Sequence, residues 1–406
     1  MTTAVAPTRP TEKASGTAAS TARLIGVDAA RGLALIGMMA VHVLPDATDD
    51  GDPTWSFALF GGRASALFAV LAGVSVALLT GRRRVRLADA PGHAAGLAAR
   101  ALAVGAIGLA LGYTEPELAT VILPYYAVLF VAAIPLVLLP TWAVGVVGAG
   151  IVAGAPVATH LLLGRLPDAS GDNFAFTDLV TRPGQLIAEL CVTGEFPALP
   201  WLAYLCAGLV VGRLDLGRMR NMLLLIAFGA GAAWGAPALS TFLLNAQHGL
   251  DHILAAQPAS ALTLDETEQM LEFGADGTVP DDTWWWLAVA GPHTGTPLDL
   301  LATVGSSVAV LGVLLAITRT ALVRRALRPL AAAGRMTLTL YTLHLIFINS
   351  EFDHYSRTTS YAAQTVAALL IGLAWTATAG RGPLESLVTA IARRARRAAT
   401  RTRAAT

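Results

Sequence analysis

The chain reads as an all-α polytopic membrane protein, a bundle of about ten transmembrane helices with both termini in the cytoplasm. Three observations predict it. Of 406 residues, 55% are hydrophobic and only 14% are charged, whereas soluble domains carry about a quarter charged residues. Mean hydropathy is +0.60, and the apolar residues gather into runs close to the ~20 residues that a helix needs to cross a bilayer. Arginines crowd alternate connections between those runs, the asymmetry that orients a membrane protein. The net charge of +1 says little about partners.

Residues 1–22 are rich in Thr, Ala, Ser and Pro without a long apolar run, and are expected to form a disordered cytoplasmic tail. They lack the basic-then-apolar pattern and cleavage site of a secretory signal, so the first span is read as an uncleaved anchor. A transmembrane domain over 23–380 then holds ten expected spans: 27–44, 60–80, 93–113, 121–139, 142–163, 198–213, 221–244, 297–317, 331–350 and 361–379. The sixth is short, and Pro200 near its start marks a broken or tilted entry. Glycine is frequent, with 39 residues, and small residues let helices approach where lipid is as apolar as they are. Residues 381–406 form an expected amphipathic basic tail. Leu384, Leu387, Val388 and Ile391 lie on one side, with Arg393, Arg394, Arg396 and Arg397 beyond them. That pattern fits an interfacial helix among anionic headgroups better than a nucleic-acid binder. Cys191 and Cys206 are too few for a disulfide framework.

The basic connections hold Arg82, Arg83, Arg84 and Arg86, then Arg213, Arg218 and Arg220, then Arg319, Arg324, Arg325 and Arg328. The intervening connections are acidic and two are long, Gly164 to Pro197 and Asn245 to Thr296. The second carries Trp284, Trp285 and Trp286, followed by Gly291-Pro-His293-Thr-Gly-Thr-Pro297. Three tryptophans there are either an interfacial anchor or the wall of a sugar- or lipid-binding site.

Ionisable groups inside a bilayer are costly and mark pairing or function. Asp28 and Arg31, three apart in the first span, share a helix face and can neutralise each other, or leave Arg31 for an anion. His42 lies ~21 Å further along the same helix, at the mouth of an acidic loop; an imidazole titrating near 6.5 suits a general base. Arg63 opens the second span on the outer side, against both the helix dipole and the charge asymmetry, so it needs a partner. Arg100 is expected to snorkel to the inner surface. In the ninth span Arg335, Thr337, Thr339, Tyr341 and His344 form a polar stripe, with Tyr341 and His344 on one face. His248 and His252 have the spacing of zinc ligands, but no acidic pattern supports a metal.

The motif Arg23…Asp28-x-x-Arg31-Gly32-x-Ala34-Leu35, followed by His42, resembles the opening helix of the transmembrane acyltransferase superfamily. That superfamily includes heparan-α-glucosaminide N-acetyltransferase and the acyltransferase-3 enzymes. Bacterial YeiB-like proteins are the closer likeness, through Gly61 to Ser75, Trp201 to Tyr204 with Gly212-Arg213, Pro292 to Asp299, Gly334 to His344, and Arg381 to Glu385. The resemblance implies acyl transfer, acetyl above all, from a cytoplasmic acyl-coenzyme A to an extracytoplasmic glycan or small-molecule acceptor. It implies coenzyme A binding by Asp28, Arg31, Arg82, Arg83, Arg84 and Arg335. Catalysis falls to His42 as base or transient acyl carrier, with Arg63, Tyr341 and His344. Trp284, His293 and Asp299 are the implied acceptor-binding residues. One departure matters: the lysosomal enzyme has asparagine at the position of His42 and keeps its catalytic histidine in the following loop. Leu44 to Gly62 contains no histidine.

Membrane lipids, the donor and the acceptor are the expected partners, with a homo-oligomer open and no nucleic acid or metal. The expected location is the plasma (inner) membrane. The competing expectation is a transporter or lipid-handling protein whose polar stripe lines a permeation path; a membrane scaffold without chemistry is a third.

Overall fold

A computed structural model describes residues 14–260 and 262–405. Among the described residues the fold is helical, with no strand beyond an isolated bridge between Ala47 and Pro53. Its principal helices are α1 (Ala14–Val43), α2 (Arg63–Leu79), α3 (Ala90–Leu111), α4 (Leu123–Leu136), α5 (Thr141–Leu162) and α6 (Ala198–Arg213). They continue with α7 (Met219–Thr241), α8 (Pro297–Ile317), α9 (Thr337–Ile348), α10 (Arg357–Thr378) and α11 (Pro383–Ala405). Each apolar run expected from the sequence is a helix, α1 to α10. Seven of the stretches, built on α1, α2, α3, α5, α7, α8 and α10, are long and apolar enough to cross a bilayer. The chain is thus a multi-pass membrane protein. α6 joins Pro183–Thr193 at a 51° bend and the pair makes up to one further span. That break falls at residues 194–197, just ahead of Pro200. α4 and α9 are shorter, 14 and 12 residues.

α1 is the hub. It packs on α2, α8, α9, α10 and the short helix Arg328–Ala333, and Ala29, Ala30, Ala34 and Leu35 are buried along it. Close approach is possible because glycine faces glycine. A Cβ on Gly334 would collide with the Asp28 carbonyl oxygen, and one on Gly32 with the Leu330 carbonyl. Arg335 is thereby carried to the Asp28 end of α1. α6 presents Gly208-x-x-x-Gly212 to α2, where the backbone of Val70 and Val74 occupies the space of the missing side chains, as packing between apolar helices requires. The outer ring is lipid-like on its surface: Trp142, Phe228, Trp234 and Leu370 are all exposed.

The first residues expected to be a disordered tail, 1–13, lie outside the described residues, and α1 already begins at Ala14. The basic tail departs from expectation. Rather than standing apart as an interfacial helix, α11 packs lengthwise on α3. Gly92 faces Thr400 and Gly96 faces Ala392, so the two helices run antiparallel, and Val388 is buried. The small residues of α3 allow that approach. Leu387 and Ile391 remain exposed. At its start α11 is latched to α9: the Glu385 carboxylate accepts from the backbone N–H groups of Leu338 (2.7 Å) and Thr339 (3.1 Å) and from the Thr339 hydroxyl (2.6 Å). These are free donors of the first helical turn, where a negative charge is favoured.

Candidate active site

α1, α2, α3, α4, α9 and α11 surround a cavity of about 1290 Å³. Its lower part is cationic, with Arg31, Arg324, Arg325, Arg328, Arg335, Arg381, Arg393 and Arg396 in the lining. Asp28 and Glu385 are the acidic members. The Arg31 guanidinium bonds Asp28 at 3.1 Å and donates to the Ser75 hydroxyl at 2.5 Å, so α1 and α2 are tied at this level. Arg100 turns into the cavity instead of snorkelling outward, its guanidinium carbon 5.9 Å from the Phe130 ring centroid. That contact offers the charge a favourable aromatic face.

Above the arginines the lining becomes apolar, with Phe68, Leu71, Leu97 and Val104, and it ends among Met38, Ile122, Tyr126 and Tyr341. The Tyr341 phenol accepts from the Ile122 N–H at 3.3 Å. Met38 lies four residues before His42, and Tyr341 three before His344, so the cavity stops about one helical turn from both imidazoles.

Those imidazoles meet. His42 Nδ1 and His344 Nε2 are 3.0 Å apart, with ring planes 9° from parallel and centroids 5.2 Å apart. His344 Nδ1 in turn lies 2.5 Å from the Gln364 side-chain oxygen, and the Gln364 amide nitrogen donates to Ser360 Oγ at 2.9 Å. His344 and Gln364 are buried and His42 half-buried. Polar groups thus converge at both ends of α1: Asp28 lies within electrostatic reach of Arg335, just ahead of α9, and His42 meets His344 on α9. The sequence reading passed over Gln364 and Ser360. Their signal was present, an amide and a hydroxyl four residues apart at the head of an apolar run, hence on one helix face.

The other candidates sit elsewhere. Arg82, Arg83 and Arg84 are not in the cavity lining. The Gly81-Arg82 turn has left-handed backbone and sends the Arg82 guanidinium to the Leu214 carbonyl; Arg83 and Arg84 are exposed. Arg63 is exposed and turns back to the Ala58 carbonyl, with the Asp299 charge within electrostatic reach. Asp299 is buried at the head of α8, where its carboxylate accepts from the Gly295 N–H at 3.1 Å. It fastens the loop that carries His293. His293 adopts a left-handed backbone, φ 56°, and packs against Phe196 and Trp201. Burial pushes its imidazole down to about 4. Trp284 lies against His160, ring centroids 4.1 Å apart. None of these three lines the large cavity. His248 pairs with Asp251 at 2.9 Å while His252 stacks on Trp285. Among the described residues no group of three or more metal-ligating side chains comes together.

A cavity with a cationic end thus runs through the helical bundle of a multi-pass membrane protein towards the His42–His344 pair. The family model for the heparan-alpha-glucosaminide N-acetyltransferase catalytic domain matches residues 23–245, more than half of the chain, and the protein belongs to that family. The model of a protein family of unknown function, DUF418, matches residues 278–394. Both agree with the likeness to YeiB-like and N-acetyltransferase-like membrane proteins read from the sequence. No curated protein matches the chain.

Proposed function

We propose that the protein is a plasma-membrane acyltransferase. It moves an acyl group, acetyl foremost, from cytoplasmic acyl-coenzyme A to an amine or hydroxyl of an extracytoplasmic sugar or glycan. The observation that carries this reading is the cavity, cationic at one end and reaching within a helical turn of His42 and His344 at the other. Membership of a family built on an N-acetyltransferase catalytic domain supports it. The arginine crowding at the lower end supports a cytoplasmic position for that end.

Coenzyme A is a polyanion carrying its thioester at the tip of a long, thin arm. Arg31 and Arg335, with the α11 arginines, suit its phosphates, and the apolar lining above them suits the arm. His42 stands ~16 Å above Arg31 along α1, a separation of the kind such an arm spans. As the acceptor's nitrogen or oxygen attacks the thioester carbonyl carbon, His42 takes its proton. The C–S bond breaks with its electron pair on sulfur, and the imidazolium returns the proton to the leaving thiolate. Tyr341 accepts from Ile122 through its oxygen, so its own proton is available to the oxyanion. Residues 23–380 supply this machinery, and the tail supplies one wall through Arg381 to Arg396.

Purified protein in lipid nanodiscs should bind coenzyme A and consume acetyl-coenzyme A in the presence of an amino sugar. His42→Ala should lower turnover on the order of 10²- to 10⁴-fold, the range for loss of a general base, and leave coenzyme A binding in place. Absence of both binding and turnover, together with solute movement across proteoliposomes, would turn the reading to transport.

A further inference from the structure

A continuous polar chain runs through Ser360, Gln364, His344 and His42, and it constrains where two protons sit. We infer that Gln364 is a positioning residue that fixes the tautomers of both histidines and leaves Nε2 of His42 as the free lone pair. This rests on the role proposed for His42 and gives that role a structural cause.

An amide oxygen offers lone pairs only. With the Gln364 oxygen 2.5 Å from His344 Nδ1, that nitrogen carries the hydrogen. A neutral imidazole has one N–H, so His344 Nε2 is bare and accepts. Its neighbour at 3.0 Å, His42 Nδ1, must then be the donor. His42 has spent its single proton inward, and its other nitrogen is a base. Ser360 supports the amide orientation by taking the Gln364 N–H at 2.9 Å. Were the amide reversed, every proton would shift along the chain: His344 would donate from Nε2, and His42 would present Nε2–H, a donor unable to deprotonate anything. The orientation of one amide therefore decides whether His42 is a base.

The surroundings keep the arrangement dry. His344 and Gln364 are 3% and 9% exposed, so water does not offer a competing partner for the His344 ring or the Gln364 amide. Unpaired polar groups there are expensive, which makes the all-bonded chain strongly preferred over one with a broken link. When His42 becomes an imidazolium, its Nδ1–H bond to His344 turns charge-assisted and strengthens. The same chain that orients the base thus also steadies its protonated form.

The test is the nitrogen NMR spectrum of histidine-labelled protein in nanodiscs, with the His42 signals identified by their loss in His42→Asn. In the unaltered protein, His42 should show a protonated Nδ1 and a bare Nε2. Gln364→Met fills similar space without an acceptor, and it should give His42 as a mixture of tautomers. Turnover should fall on the order of 100-fold or more, with the KM for acetyl-coenzyme A little changed. Ser360→Ala should give a smaller shift in the same direction. A protonated Nε2 on His42 in the unaltered protein, or a tautomer unmoved by Gln364→Met, overturns the inference. The expected tautomers in a protein that never consumes acetyl-coenzyme A would support the proton arrangement and overturn acyl transfer instead.

Discussion

The two ends of the central cavity are built on opposite electrostatic plans. At the lower end, nine lining arginines meet two lining carboxylates, around an open space, so positive charge is in surplus. At the upper end His42, His344, Gln364 and Ser360 bond in sequence with no net charge. A surplus of charge around space calls for a mobile counter-ion, and a closed chain of hydrogen bonds calls for fixed protons. The lower end is suited to binding and the upper end to chemistry, and the two should respond to different perturbations.

The widest separation should come from His344→Ala. It leaves His42 without its inward acceptor, and turnover should drop by about 10²- to 10⁴-fold while the coenzyme A dissociation constant stays within about twofold, measured by calorimetry. Acid should act next, away from both ends, on the loop that carries His293. His293 is held neutral in the fold with its imidazole at about 4 by burial, below an ordinary ~6.5. The unfolded chain takes up the proton first as pH falls. The contribution of His293 is therefore complete above ~6.5 and is lost as pH drops through about 4. Thermal unfolding across that window should reveal a loss of up to about 3 kcal/mol, with a shallower slope in His293→Phe. The smallest effect is expected at the lower end. Arg31→Ala should weaken coenzyme A about 10- to 100-fold, the range for a charge-assisted contact. Raising salt from about 0.1 to about 1 M, which shortens the screening length from ~10 to ~3 Å, should reproduce part of that weakening without altering the His42 tautomer. Equal salt sensitivity of turnover and binding, with the proton arrangement disturbed too, would erase the distinction between the ends.

Much of the helical architecture was legible because the bilayer imposes length and polarity on each span separately. The inner pair was legible for a similar reason: Asp28 and Arg31 are three apart on one helix. His42 and His344 were each recognisable as costly in an apolar span, but their contact depends on how α1 packs on α9, which no local pattern records. Gln364 required knowledge of its partner to look different from any helical glutamine. The packing of the tail was not legible because amphipathic periodicity fits a helix on a membrane surface and a helix on a neighbour equally well. Gly92 and Gly96 on α3 decided between them. Arg82 to Arg84 were grouped by sequence density, and a single left-handed turn directs the first of them away from the cavity.

The separation of the two histidines along the chain also orders events during synthesis. Asp28 and Arg31 emerge from the ribosome together and neutralise each other at once. His42 must wait for a partner 302 residues downstream, about 15 to 60 s at ordinary elongation rates. The cavity wall formed by α11 arrives later still. Throughout that interval the His42 ring lacks the partner it bonds in the folded protein, and the pair closes only when the ninth helix docks.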